Sequence, residues 1–330
     1  MKNYPVVSII IRSYNEERLI GKLLESIKRQ KFDENQIEVI VVDSGSDDST
    51  LQIISNYKVK LVKIKKEDFS FGYSLNRGIK AATSKYILMI SGHCYPQYNN
   101  WISNMVKPFK DDKIALVYGR QIGNKFTRYS ENRVFYKWFP NDNKSIQKDA
   151  FCNNANCAIR RDIWKKQHYD ESLSGLEDLD WATKIMEKGF KIYYEPDACI
   201  YHLHSDTYGQ IKNRYKREAI AYKIIYPNEI FGLIDYFKMF LSNVFTDFYF
   251  AKNENKLFKN FISIIIFRHC QFFGAFQGFN IKNIDSDLKK RFYYPDKVEN
   301  NKEYVPIVEL LNKIKNKFKS LLKSINNRNI

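Results

Sequence analysis

The sequence of 330 residues has no long hydrophobic run. Its longest apolar stretch, near residues 261–267, is too short to cross a bilayer. The opening run in MKNYPVVSIIIRSYNEE is too short for a signal peptide or a span and leads straight into an acidic turn. If the protein meets a membrane, it lies on it. Cysteine is sparse and odd in number. Cys94, Cys152, Cys157, Cys199 and Cys270 fit no paired zinc spacing, with Cys152 and Cys157 a lone near pair, so a reduced, cytosolic setting is expected. Glycine is scarce at 13 residues, and neither a GxGxxG nor a Walker-type loop occurs. A phosphate cradle built on glycines is therefore disfavoured, and any bound diphosphate needs a metal ion or basic side chains for charge balance. Internal repeats and low-complexity linkers are absent as well.

Apolar and basic residues are abundant. A hydrophobic content of 44%, with 15% aromatic, is ample for one large domain or two ordinary ones. Acid is in deficit: the net charge is +17, and about ten of those charges fall after His204. Nucleic acid, anionic lipid or a phosphorylated substrate could each answer that charge, but no nucleic-acid recognition motif is present.

The chain is organised around residues 84–96, SKYILMISGHCYP. Five apolar residues bounded by turn residues read as a central strand buried on both faces, which puts Ser91, Gly92 and His93 at its carboxyl end, where α/β sheets bind ligands. Strands are also expected at 6–11, 37–42 and 60–64. Helices are expected at 16–30, 51–57 and 74–82, giving a mostly parallel, doubly wound sheet over residues 1 to about 120. Beyond it, the pattern predicts a helix at 101–109, strands at 114–118 and 155–159, and an aperiodic polar and aromatic loop at 131–149. A helix at 177–188 ending at Gly189 follows, then two strands at 191–194 and 198–201. After His204 the pattern is helical, basic and aromatic, closing with a basic amphipathic stripe over 306–325 that suits a lipid interface and equally suits packing on the protein or pairing with a partner.

Three groups of residues can carry chemistry. Asp43, at the tip of the second strand, can accept hydrogen bonds from a ribose or a base, although aspartate in a turn is also ordinary turn chemistry. The run GLEDLDW places Glu177, Asp178 and Asp180 at a helix start, more carboxylate than capping requires; one can serve as a base while another fixes neighbouring backbone. In YHLH, strand alternation puts His202 and His204 on one side, and with His93 they form a possible divalent-metal set.

Taken together, PVVSIIIRSYNE at 5–16, VVDSGSDDST at 41–50, NRG at 76–78 and GLED at 175–178 resemble family 2 glycosyltransferases over about residues 5–205. The resemblance implies a GT-A fold in residues 1–205, with a nucleotide-binding half to about 120 and an acceptor half from 121 to 205. Residues 206–330 would be a helical, basic extension that associates with membranes. It also implies a nucleotide-sugar donor and inversion at the anomeric carbon. Arg12, Tyr14, Glu16 and Asp43 would line the nucleoside pocket, with Asn76, Arg77, Ser91 and Gly92 completing the donor site. Asp178, assisted by Glu177, would be the base. The family's usual Asp-x-Asp is replaced by Ser91-Gly92-His93, so His93 stands where the metal binds, with His202 or His204 as a further ligand. Imidazole favours Mn²⁺ over Mg²⁺, and metal-independent transfer on basic side chains stays open. The acceptor implied is a cell-surface glycan, such as lipopolysaccharide or capsule, carried on a polyprenyl diphosphate at the inner face of the cytoplasmic membrane. The competing expectation is a degenerate relative that binds a nucleotide sugar or glycan without turning it over.

Overall fold

Apolar runs too continuous for a half-exposed strand become strands covered on both faces. The computed structural model describes residues 6–142, 144–281, 292–294, 308–313 and 315–316. In chain order it contains β1 (Val7–Ser13), α1 (Ile20–Lys28), β2 (Ile37–Asp43), α2 (Thr50–Ile54), β3 (Lys60–Lys63), α3 (Phe71–Ala81), β4 (Tyr86–Ser91) and β5 (Cys94–Pro96). Next come α4 (Trp101–Val106), β6 (Ile114–Ile122), α5 (Tyr129–Trp138), β7 (Ser145–Ile146), β8 (Asn156–Arg160), α6 (Arg161–Trp164), α7 (Glu177–Glu187) and β9 (Lys191–His202). The helices α8 (Tyr208–Ile225), α9 (Leu233–Asn253) and α10 (Leu257–Phe279) close the series. The chain forms two compact units, residues 1–127 with 134–204, and residues 128–133 with 205–330.

The first unit is built on one sheet in the order β3-β2-β1-β4-β8-β6-β9-β5, with β7 also pairing to β9. β3, β2, β1 and β4 run parallel, as do β6 and β9, while β8 enters antiparallel between β4 and β6. Alternation along β1 and β4 explains the unbroken apolar pattern. Ile10, Ile87 and Met89 join the core that holds Leu75 and Ile79 of α3 and Trp181 and Ile185 of α7. Ile9, Ile11, Leu88 and Ile90 join the core that holds Leu23 and Ile27 of α1 and Trp101 and Ile102 of α4.

Four expectations need correction. The helix expected from residue 16 starts only at Ile20, because the preceding loop is pinned elsewhere: Asn15 is left-handed at φ 53° and its amide donates to Asp47 at 2.7 Å. The helix expected from residue 74 starts at Phe71, since the Ser70 hydroxyl accepts the Tyr73 amide hydrogen as an N-cap. The loop expected over 131–149 is entered by α5, which runs on to Trp138, and holds β7 at Ser145–Ile146; the helical period was hidden because polar Ser130 and Glu131 are among the buried residues of α5. The two strands expected at 191–194 and 198–201 are one strand, β9, whose register slips against β6 between Gly119 and Gln121 and so accommodates Pro196.

In the second unit, α8 opens with a capping box in which Thr207 and Gln210 satisfy each other's backbone. Gly274 and Gly278 let α10 lie directly on α8. A Cβ at either would sit 2.4 Å from the Lys212 or Lys216 carbonyl oxygen. α9 and α10 share a buried ion pair, Asp247 with Arg268 at 2.8 and 2.9 Å, which also receives the Ser130 hydroxyl. The stripe expected over 306–325 lies largely outside the described residues. Among the described residues, no helix is long and apolar enough to cross a membrane.

Candidate active site

Parallel pairing brings the carboxyl ends of β1, β2 and β4 together, since Ser13 pairs with Asp43 and Arg12 with Ser91. The loops leaving β1 and β2 are stitched to each other. The Asn15 amide donates to Ser46 Oγ at 2.9 Å and the Glu16 amide to Thr50 Oγ1 at 2.7 Å. That stitching fixes Glu16, whose carboxylate accepts from His93 Nδ1 at 2.7 Å. Gly92 is required by the same approach, because a Cβ there would lie 2.9 Å from Glu16 Cγ and 3.0 Å from the Arg12 carbonyl.

The three histidines named from sequence converge. His93 Nε2 lies 3.1 Å from His202 Nε2, and one ring nitrogen from each of His93, His202 and His204 falls within 4.8 Å of the others. Their surroundings decide the tautomers of two of them. Glu16 is an acceptor, so His93 Nδ1 carries the hydrogen. The Ala155 amide donates to Asn153 Oδ1, which also takes Gln121 Nε2, leaving Gln121 Oε1 to accept from His202 Nδ1 at 2.6 Å. In the neutral rings both Nε2 atoms therefore hold lone pairs, and these point at each other. Such a pair is repulsive unless a cation or a shared proton sits between them. Two nitrogens bound at about 2.1 Å to one ion, roughly at right angles, lie about 3 Å apart, so the donor set fits a divalent metal.

The second cluster surrounds the start of α7. Leu176 is left-handed at φ 55° and turns the chain so that Glu177 and Asp178 are both buried. Asp178 accepts the Asn154 amide hydrogen at 3.0 Å and that of Leu179 at 2.9 Å. Burial, and then the neighbouring Glu177, push its carboxyl up to about 7 against those two amides and Arg12. Glu177 is held by Arg12 Nη1 at 3.3 Å and Asn154 Nδ2 at 3.2 Å, while Asp180 pairs with Lys184 at 2.7 Å. The three carboxylates thus separate into a poised acid, an organiser of its neighbours and a buried partner of a half-exposed lysine. Consecutive asparagines link the clusters: Asn153 orients the Gln121–His202 arm and Asn154 holds Asp178 and Glu177.

The remaining residues named from sequence divide. Arg12 lies over Phe71 at 4.8 Å and Tyr14 lies under Lys66 at 4.8 Å, both at the loop cluster. Asp43 is buried, and its carboxylate accepts from its own turn, the Gly45 and Ser46 amides at 3.0 Å and the Ser46 hydroxyl. Ser91 is buried at the tip of β4. Asn76 is not brought to the cleft. Its amide donates to Tyr169 O and Glu171, and its carbonyl takes Trp164 Nε1 and Tyr169 N, so all its capacity ties α3 to residues 164–171. Arg77 is exposed beside Tyr73. Four residues were missed: Lys66, Gln121, Asn153 and Asn154. Neutral amides within or before strands give no sequence signal; Lys66 could have been suspected from the Lys65-Lys66 pair following β3.

Comparison with known proteins agrees with this geometry. Residues 8–167 match Glycosyl transferase family 2; the chain carries that family's domain and is a glycosyltransferase. It is similar to the O-antigen chain rhamnosyltransferase RfbN of Salmonella typhimurium, 28% identical over 223 residues, 63% of this chain and 70% of the relative. It is also similar to the dolichyl N-acetyl-alpha-D-glucosaminyl phosphate 3-beta-D-2,3-diacetamido-2,3-dideoxy-beta-D-glucuronosyltransferase of Methanococcus voltae, 26% identical over 208 residues, 58% of this chain and 64% of the relative. The matched stretches thus span about two thirds of those relatives. The fold, of GT-A type, resembles the mannosyltransferase PcManGT from Pyrobaculum calidifontis in complex with GDP-Man and Mn²⁺. That match has a TM-score of 0.56 at 16% identity, covering 90% of this chain and 89% of the other.

Proposed function

We propose that this glycosyltransferase moves a sugar, with inversion, from a nucleotide-sugar donor to a hydroxyl of a lipid-linked cell-surface glycan. Asp178 is the base, and the reaction takes place at an anionic membrane surface on the cytoplasmic side. The observation that carries it is Asp178, a buried carboxyl poised near neutrality, tied through Asn154 and Asn153 to the converging imidazoles. Inverting transfer needs an acceptor hydroxyl deprotonated on one face of the sugar and charge stabilised on the departing diphosphate on the other. Asp178 holds the acceptor proton at its carboxylate oxygens. Glu177 keeps Arg12 beside it, and Arg12 with Lys66 supplies basic charge toward the diphosphate. Tyr14 and Asp43 line the nucleoside end.

His93, His202 and His204 would hold a divalent cation, which when bound neutralises the leaving diphosphate. Imidazole donors favour Mn²⁺ over Mg²⁺, in keeping with the Mn²⁺ in the PcManGT complex. A lipid-linked acceptor agrees with the dolichyl phosphate named for the Methanococcus relative, and a surface polysaccharide with the O-antigen relative. The test is a screen of nucleotide sugars for donor hydrolysis and transfer, with Mn²⁺, with Mg²⁺ and with chelator. Turnover that needs Mn²⁺ and is lost in Asp178→Asn is expected. A second reading, a binding protein without turnover, is favoured by the loss of carboxylates at Ser91 and His93; donor binding with no hydrolysis under any metal would establish it instead.

A further inference from the structure

We infer that the outward face of α9 is the surface by which this protein docks on anionic lipid. This deepens the membrane part of the function proposed above and rests on it. Ile234, Phe237, Leu241, Phe245 and Tyr249 recur at steps of three and four residues along α9, with exposures of 82%, 50%, 46%, 65% and 63%. Ile230, just before the helix, is 86% exposed. The stripe from Ile234 to Tyr249 is about 22 Å long at the helical rise. The opposite side of α9 buries Tyr236, Val244, Asp247 and Ala251, so the outward stripe is not needed for the fold of its own unit. Isolated apolar side chains on a surface are ordinary, but a continuous stripe of this size marks a contact.

Charge selects the partner. α9 carries two carboxylates and neither faces outward: Asp235 accepts the Gly232 amide hydrogen at the N-terminus, and Asp247 is buried against Arg268. The lysines on the helix, Lys238 and Lys252, are exposed, and Lys256 and Lys259 follow at its end. Of the exposed acids that flank the helix, Glu254 is paired with Lys256 at 2.7 Å and Glu229 precedes Ile230. A second copy of the chain fits poorly on such a face. Self-pairing would press lysines onto an apolar seam in which neither carboxylate of α9 is turned to meet them. An anionic bilayer accepts all of it. Phenylalanine, leucine and isoleucine enter the acyl boundary, Tyr249 lies at the headgroup level, and the lysine stems reach back to phosphate.

The test uses the full chain and vesicles of phosphatidylcholine with and without phosphatidylglycerol, read by flotation at low salt. Binding to the anionic vesicles is expected, falling about tenfold or more in Leu241→Asp/Phe245→Asp, because two large apolar side chains no longer enter the lipid. A smaller fall is expected in Lys238→Glu/Lys252→Glu. Donor hydrolysis by the same variants reports on the catalytic proposal separately and should be unchanged. Failure of wild-type hydrolysis with intact vesicle binding would strike the function and leave the docking face. No vesicle binding by the wild-type chain would overturn the inference. So would binding that survives in both α9 variants and is lost in Leu310→Asp/Leu311→Asp, or a dimer in sedimentation that the α9 variants dissociate.

Discussion

Asp178 is held in the protonated range by removal from water, and its chemistry requires the opposite state. Transfer should therefore rise with pH through about 7 and level off above it, because only the ionised carboxylate can take the acceptor proton. A pH–rate profile of kcat/KM checks this. Asp178→Asn should lower turnover by roughly 10²–10⁴-fold while donor affinity, read by titration calorimetry, stays the same. Stability should move the other way. A carboxyl whose pKa is raised on folding contributes most below the ordinary carboxylate value, and that contribution is lost as pH rises through the folded value. Relative to wild type, Asp178→Asn should therefore gain stability between pH 4 and pH 8, by roughly 2–4 kcal/mol on the size of the shift. Urea melts at the two pH values measure it. At the histidines, the outer partners matter as much as the donors. Glu16→Leu and Gln121→Leu each remove an acceptor that orients a ring, and each should weaken Mn²⁺ binding by roughly 10–100-fold, read by electron paramagnetic resonance.

At the scale of elements, one tight approach sets the site. The strand-tip backbone at Gly92 lies against Arg12 and Glu16, and only the absence of a Cβ allows it. Gly92→Ala should cost about 1–3 kcal/mol and displace His93, so that Mn²⁺ affinity falls even where the protein remains folded. Much of this element-level layout was legible. The continuous runs of β1, β2 and β4 read as doubly covered strands because both faces are packed, and the acidic start of α7 read as a site because three carboxylates exceed what a helix terminus uses. The starts of α1 and α5 were not legible, since each depends on a partner distant in sequence or on a side chain acting against its type, whereas α3 begins at a local N-cap, Ser70. Asp47 holds the loop before α1, and Ser130 and Glu131 in α5 are polar yet buried.

At the scale of the whole molecule, each unit is built around an apolar core and the two differ in architecture. The first is a sheet with an apolar core on each face, and the second a set of helices whose interior contains charge. Arg268→Ala should leave Asp247 buried without its cation and destabilise by about 3–5 kcal/mol, whereas the double variant with Asp247→Ala should recover part of that loss. A double-mutant cycle in urea separates the two. By itself the sequence determined the α/β class, because strand periodicity is a local property of the chain, and its short motifs carried the resemblance to the family; the stretches proposed to carry the chemistry were named from strand-tip residues. Tertiary structure alone decided the division of labour among those residues. It spent Asn76 on tying α3 to residues 164–171, gave Glu16 to His93, and aimed two imidazole lone pairs at one point through Gln121 and Asn153. Hydrogen-bond capacity is assigned only when distant groups meet, and until then every polar side chain has several uses open to it.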